Sequence, residues 1–134
     1  MKKYRILIII LVLFAVLSYF TGITDMKKVT GGKAVFIYEE KNVDTNLSNE
    51  HLEVIKEIFD KKILYRDNPS CSFDENIAVK LYFSDNRIYT FCFARDTCNG
   101  IYWKEKNKYF DVSESEQKQL HAILETYGFR FPCV

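Results

Sequence analysis

The stretch Ile77-Ala78-Val79-Lys80-Leu81-Tyr82-Phe83-Ser84-Asp85-Asn86-Arg87-Ile88-Tyr89-Thr90-Phe91-Cys92-Phe93-Ala94-Arg95 decides the fold. Ile77, Val79, Leu81 and Phe83 alternate with Ala78, Lys80 and Tyr82, the period of two that a half-buried strand requires. Asp85-Asn86 is a hairpin-turn signal, and residues 87–95 read as the return strand. With Asp85-Asn86 as a two-residue turn, Ser84 faces Arg87, Val79 faces Cys92 and Leu81 faces Thr90. After a turn over 96–100, residues 101–105 and 108–112 form a second hairpin around Lys106-Asn107, with Trp103 facing Phe110 and Ile101 facing Val112. Joining the hairpins with parity kept puts Cys92 beside Trp103 and Phe93 beside Tyr102. One face then carries Ile77, Val79, Leu81, Phe83, Ile88, Cys92, Ala94, Ile101, Trp103, Phe110 and Val112, the expected core. The other carries Lys80, Tyr82, Tyr89, Phe91, Phe93, Tyr102, Lys104, Tyr109 and Asp111. A slip of one residue inverts such a partition.

Helices flank this meander. Ser48 is an N-cap residue, and Leu52, Ile55, Phe59 and Ile63 recur at helical spacing, which predicts a helix over 49–64. Ser113-Glu114-Ser115-Glu116 is a capping box; its helix runs to about Tyr127, with Gly128 at C′. Residues 34–38 read as a short strand, 39–47 as polar loop, and 65–76 as loop marked by Asn68-Pro69-Ser70. The order is β-α-β-β-β-β-α: an α+β, two-layer sandwich in which a four-stranded antiparallel meander and a short N-terminal strand pack against two helices. That order resembles the cystatin-like architecture. The resemblance implies an arrangement of elements and nothing about activity. The Gln-x-Val-x-Gly hairpin and Pro-Trp turn of that family's inhibitors are missing, and the last helix is an addition.

Upstream lies a different kind of sequence. Lys2, Lys3 and Arg5 precede an apolar run over 6–20 that only Ser18 interrupts. A basic start followed by an apolar run is the form of an export signal, and the positive charges stay on the cytoplasmic side. Counted through Ile23, the run approaches the roughly 20 residues of a membrane crossing. Residues 1–23 are therefore expected to be an uncleaved single-pass anchor in the cytoplasmic membrane, or a signal peptide whose removal would leave a secreted protein. Val16-Leu17-Ser18 is the usable cleavage site and Gly22-Ile23-Thr24 a poor one. Residues 24–33, with Lys27, Lys28, Gly31 and Gly32, read as a tether. Residues 34–134 read as the extracytoplasmic domain, folding without residues 1–23.

An apolar share of 48% against 28% charged residues supports a packed core and argues against disorder. The formal charge of +1 falls to −2 once the three charges of Lys2, Lys3 and Arg5 are set aside, so no basic field exists to attract nucleic acid. The four cysteines, at 71, 92, 98 and 133, all follow the apolar run, which predicts two disulfides. Of three pairings, Cys71–Cys98 with Cys92–Cys133 suits the register. One bridge with two buried thiols is the alternative.

The sequence predicts no catalytic residues, metal site or cofactor. There is no Cys-x-x-Cys pair for zinc. His51 and His121 read as ordinary helix residues. The segment 96–100 reads as a turn rather than a calcium loop, and Glu114 and Glu116 as capping groups. The one functional hint is the aromatic face: Lys80, Tyr82, Tyr89, Phe91, Phe93, Tyr102, Lys104 and Tyr109 suit stacking on a sugar, peptide or protein partner. The competing reading is a second small core, covered by the first strand or the long loops. The expected function is a non-enzymatic binding module at the cell envelope, contacting an envelope polymer or a protein. The alternative is an inhibitor or immunity-type protein acting on an extracytoplasmic enzyme or toxin. The oligomeric state is left open.

Overall fold

The computed structural model describes residues 1–19, 22–38 and 40–131. Six strands form one antiparallel sheet: β1 (Val29–Tyr38), β2 (Lys41–Asn46), β3 (Phe73–Phe83), β4 (Ile88–Ala94), β5 (Gly100–Trp103) and β6 (Lys108–Asp111). Their order across the sheet is β2-β1-β3-β4-β5-β6. The helices are α1 (Lys2–Tyr19), α2 (Asn49–Phe59) and α3 (Glu114–Thr126). The α+β class and the β3–β6 meander stand as read from the sequence. β2 is the added strand. Its Lys-Asn-Val-Asp-Thr-Asn carries no apolar pattern, and it becomes a strand by pairing with β1 from Lys33↔Asn46 to Tyr38↔Lys41. A polar, charged edge of this kind also discourages pairing with other chains.

The register of β4 corrects the expected faces. The first hairpin pairs Val79 with Phe91 and Leu81 with Tyr89, one residue away from the two-residue-turn register. Within the turn only Asn86 has positive φ, 67°, and the Asn86 N–H donates to the Phe83 carbonyl at 3.1 Å. A two-residue type I′ turn needs positive φ at both central residues, so the loop takes three residues, Ser84, Asp85 and Asn86. Every β4 side chain therefore changes face. Tyr89, Phe91 and Phe93 enter the helix-covered core at 7%, 0% and 4% exposure, and Ile88, Cys92 and Ala94 alternate onto the other side.

On its far side β4 pairs Phe91 with Trp103 and Phe93 with Ile101, again one residue from expectation. The two slips cancel, so β5 keeps its expected parity. The last hairpin pairs Ile101 with Phe110, two residues from the expected register, because its loop is Lys104–Lys106 plus Asn107 at φ 48°. An even shift leaves the faces unchanged, and Ile101, Trp103, Phe110 and Val112 are core as read.

α2 and α3 cover this core face. Ser48 accepts a hydrogen bond from the His51 N–H and starts α2, whose Phe59 ring lies 4.8 Å from Phe91 and 5.2 Å from Phe110. The capping box of α3 is complete: Ser113 Oγ accepts from the Glu116 N–H and Glu116 Oε2 from the Ser113 N–H. α2 stops at Phe59 rather than residue 64. Lys61 adopts φ 60°, and Ile63, expected on the apolar stripe, is 76% exposed.

The chain before β1 fills the space beyond α2. The Ile23 N–H donates to the Lys62 carbonyl at 3.2 Å, and the Lys61 N–H donates to the Ile23 carbonyl at 2.8 Å. Gly22 fits there for want of a side chain: a Cβ would lie 1.8 Å from the Lys62 carbonyl oxygen. Ile23, Met26 and Val29 are buried, at 2%, 2% and 6% exposure. The 24–33 segment is thus a short 3₁₀ turn and the start of β1, packed into the core, and not a tether. Among the described residues no helix is long and apolar enough to cross a membrane. α1 has 18 residues including Lys2, Lys3 and Arg5. The single-pass span counted through Ile23 is therefore not shown, and Ile23 itself is buried in the domain.

Candidate functional site

The sheet face away from α2 and α3 is set by alternation. β1 presents Lys33, Val35 and Ile37 there, β3 Ala78, Lys80 and Tyr82, β4 Ile88, Thr90 and Cys92, β5 Tyr102, and β6 Tyr109. Of the residues expected to make a contact face, Lys80, Tyr82, Tyr102 and Tyr109 lie on this side. Tyr89, Phe91 and Phe93 are under the helices instead. Lys104 follows β5 and pairs with Glu75 at 2.8 Å, which holds its ammonium above the ordinary lysine range through that hydrogen bond. Tyr82 pairs with Ile88 and Tyr102 with Cys92. Those partners are four residues apart on β4, about 13 Å, so the two tyrosines belong to separate regions.

Around Tyr102 the rings make a small second core. Tyr102 and Tyr109 stack at 5.1 Å, Phe73 lies 5.3 Å from Tyr109 and 6.0 Å from Tyr102, and Tyr65 stacks on Tyr109 at 5.9 Å. The segment after α2 is held over them by a reciprocal backbone pair between Tyr65 and Tyr109, both bonds 2.8 Å, so that Tyr109 is only 9% exposed. The Tyr65 hydroxyl donates to Asp111 at 2.6 Å. Burial and that bond together hold the Tyr65 phenol well above its usual range. Cys71 and Cys98 tie the segment down at disulfide distance, with Cα atoms 5.8 Å apart. Gly100 leaves them room, since a Cβ there would come within 3.2 Å of Phe73 and 3.4 Å of Cys98 Sγ. Sequence reasoning left Tyr65 and Phe73 out of this face. Their signal was two aromatic residues at the ends of a loop closed by a cysteine.

Cys92 is fully buried on this side of the sheet, not on the helix side. Burial pushes its thiol up to about 12. It has no disulfide partner among the described residues, and Cys133, its expected partner, lies outside them.

Around Tyr82 the face is more open. Ile88 is 45% exposed, and Lys80 and Tyr82 are half-buried. Lys33 pairs across strands with Lys80 and bonds Asp44 at 3.1 Å. The result is a shallow patch of one ring, one aliphatic side chain and two ammonium groups.

The other polar groups singled out in the sequence have partners within the domain. His51 Nδ1 lies 2.7 Å from the Tyr127 hydroxyl, which also accepts from the Ser48 N–H at 2.9 Å. His121 stacks on Phe131 with centroids 3.5 Å apart, and burial lowers its pKa. Asp96 accepts from the Cys98 and Ser72 N–H groups, so the 96–100 segment is a turn locked by its own carboxylate. Among the described residues no group of three or more His, Cys, Asp or Glu is placed to hold a metal ion. The open part of this face is the Lys80–Tyr82–Ile88 patch. No known protein family, curated protein or solved structure matches the chain.

Proposed function

We propose that this chain is a membrane-tethered, non-enzymatic binding domain of the cell envelope. The observation that carries the reading is α1. The large apolar side chains over 6–17 stand 48–74% exposed, on every side of the helix. A helix apolar all round needs an apolar surrounding, and the described residues of the domain do not supply it. Lys2, Lys3 and Arg5 stand in front of it, as in segments that enter a membrane with their basic end on the cytoplasmic side. A run of twelve residues has the length of an export h-region. The disulfide-distance pair Cys71–Cys98 fits an oxidising compartment. The contact surface is the open half of the sheet, Lys80, Tyr82 and Ile88, with an envelope polymer or a protein as its partner.

A reporter enzyme that folds only outside the cytoplasm, fused after Val134, tests the location. It should be active, and exchanging Lys2, Lys3 and Arg5 for Glu should abolish that activity. An inactive reporter on the unaltered chain overturns the reading. The surface is tested by capture from envelope extract. Tyr82→Ala with Ile88→Ser should reduce the captured partner at unchanged thermal stability, and equal capture by both proteins removes this patch from consideration. A captured enzyme that loses activity on binding would make the domain an inhibitor.

A further inference from the structure

Ile63 lies outside the buried core of the described residues. It is 76% exposed although its sequence spacing assigns it to the apolar stripe of α2, and it is flanked by exposed Lys61 and by Lys62. Its position relative to α1 is fixed by covalent and backbone geometry. Gly22 touches the Lys62 backbone, and Ile23 is hydrogen-bonded on both sides to Lys61 and Lys62. Three Cα steps separate Tyr19, the last residue of α1, from Gly22, so the two lie within about 11 Å. The same turn borders an open depression of about 440 Å³ lined by Lys61, Lys62, Ile63, Tyr65 and Asp111. An exposed aliphatic side chain, the exposed Lys61 ammonium beside it and a nearby tyrosine are the residue types that sit at a membrane–water boundary.

We propose that the Lys61-Lys62-Ile63 turn is the face by which the domain rests on an anionic phospholipid bilayer. Ile63 enters the boundary between headgroups and acyl chains, and Lys61 meets the phosphates. The inference rests on the reading of α1 as a membrane-entering segment. Once α1 is in lipid, the short link leaves the 61–63 turn no room to stand away from the surface. The sheet edge at β2 is held at the opposite side of the domain, because β2 and β6 end the six-strand order. The domain thus has a fixed orientation rather than a free tumble on a tether.

The test is quenching of tryptophan emission by brominated acyl chains, with the full chain in vesicles of phosphatidylcholine and phosphatidylglycerol. Native Trp103 is 5% exposed and gives a common background. One tryptophan is added at a time: Leu13→Trp in α1, Ile63→Trp in the turn, Asn42→Trp on β2. All three sites are exposed, so none disturbs the core. The expected result is loss of the added emission at 13 and 63 and none at 42. Quenching at 13 with position 63 behaving like 42 overturns the inference and leaves the membrane reading intact. No quenching at 13 overturns the membrane reading, and the inference with it. Equal quenching at 42 and 63 overturns the orientation.

Discussion

Trp103 sits in the core with its ring 4.5 Å from Tyr89 and 5.5 Å from Phe91, yet its Nε1–H finds no acceptor among the described residues. A buried donor left unpaired costs about 1–3 kcal/mol, which offsets part of what the ring gains by burial. Trp103→Phe discards the donor and keeps most of the packing. Its stability should stay within about 1 kcal/mol of the native chain, whereas Trp103→Ala should lose about 3–5 kcal/mol. Urea unfolding of the two variants reads this directly, and equal losses would mean that the indole N–H is satisfied. Cys92 gives a second prediction. Its buried thiol, with its pKa near 12, holds almost no thiolate at mildly alkaline pH. Iodoacetamide should leave it unmodified in the native protein and alkylate it once the unreduced protein is unfolded. Protection in both states would show the Cys92–Cys133 bridge that the cysteine count suggested.

At the scale of the element, ends and turns decide more than interiors. The α3 capping box also anchors α2's exit, because Glu116 accepts from Lys62 at 2.6 Å as well as from Ser113. Burial works to raise the Glu116 carboxyl, but the Lys62 ammonium and the Ser113 N–H outweigh it and hold it below the ordinary glutamate range. A carboxylate depressed in the folded state stabilises the fold above its unfolded pKa of about 4.3, and this contribution is lost as pH falls through the lower folded value. Glu116→Gln should therefore lower the unfolding midpoint at neutral pH and converge with the native chain in acid. A deficit unchanged across that range would assign the residue's effect to packing. Asn86 shows how one residue governs two strands. Its left-handed backbone lengthens the β3–β4 loop by one residue, and every side chain of β4 changes face.

For the whole molecule, the packed domain begins earlier in the chain than composition suggests. Ile23 and Met26 are each 2% exposed and close the core beyond α2. A chain lacking residues 1–21 should unfold cooperatively with nearly native stability. Starting at residue 27 should destabilise it severely, and Ile23→Ala alone should cost about 2–5 kcal/mol. Circular dichroism during urea titration compares the three, and equal stability of both truncations would deny Ile23 and Met26 their place in the core. The boundary bears on the two cleavage sites that the sequence offers. Cleavage after Thr24 would remove Gly22 and Ile23, whereas cleavage after Ser18 would spare both.

The sequence by itself determined the α+β class, the meander and both helix N-caps. Each of these depends on local chemistry: a period of two, or a Ser hydroxyl before an apolar repeat. It also marked α1 as a segment apart, because no polar face interrupts the run from Ile6 to Leu17. Only the tertiary structure decided what lies on each face of the sheet, and so which aromatic residues are available for contact. Face follows parity, parity follows turn length, and Ser84-Asp85-Asn86 can close as two residues or three until β4 is packed against its neighbours. Tertiary structure also decided the strands that lack a pattern. β2 and the first half of β1 are polar or glycine-bearing, and they exist because a neighbouring backbone offers them hydrogen bonds, which is a property of the sheet and not of their own side chains.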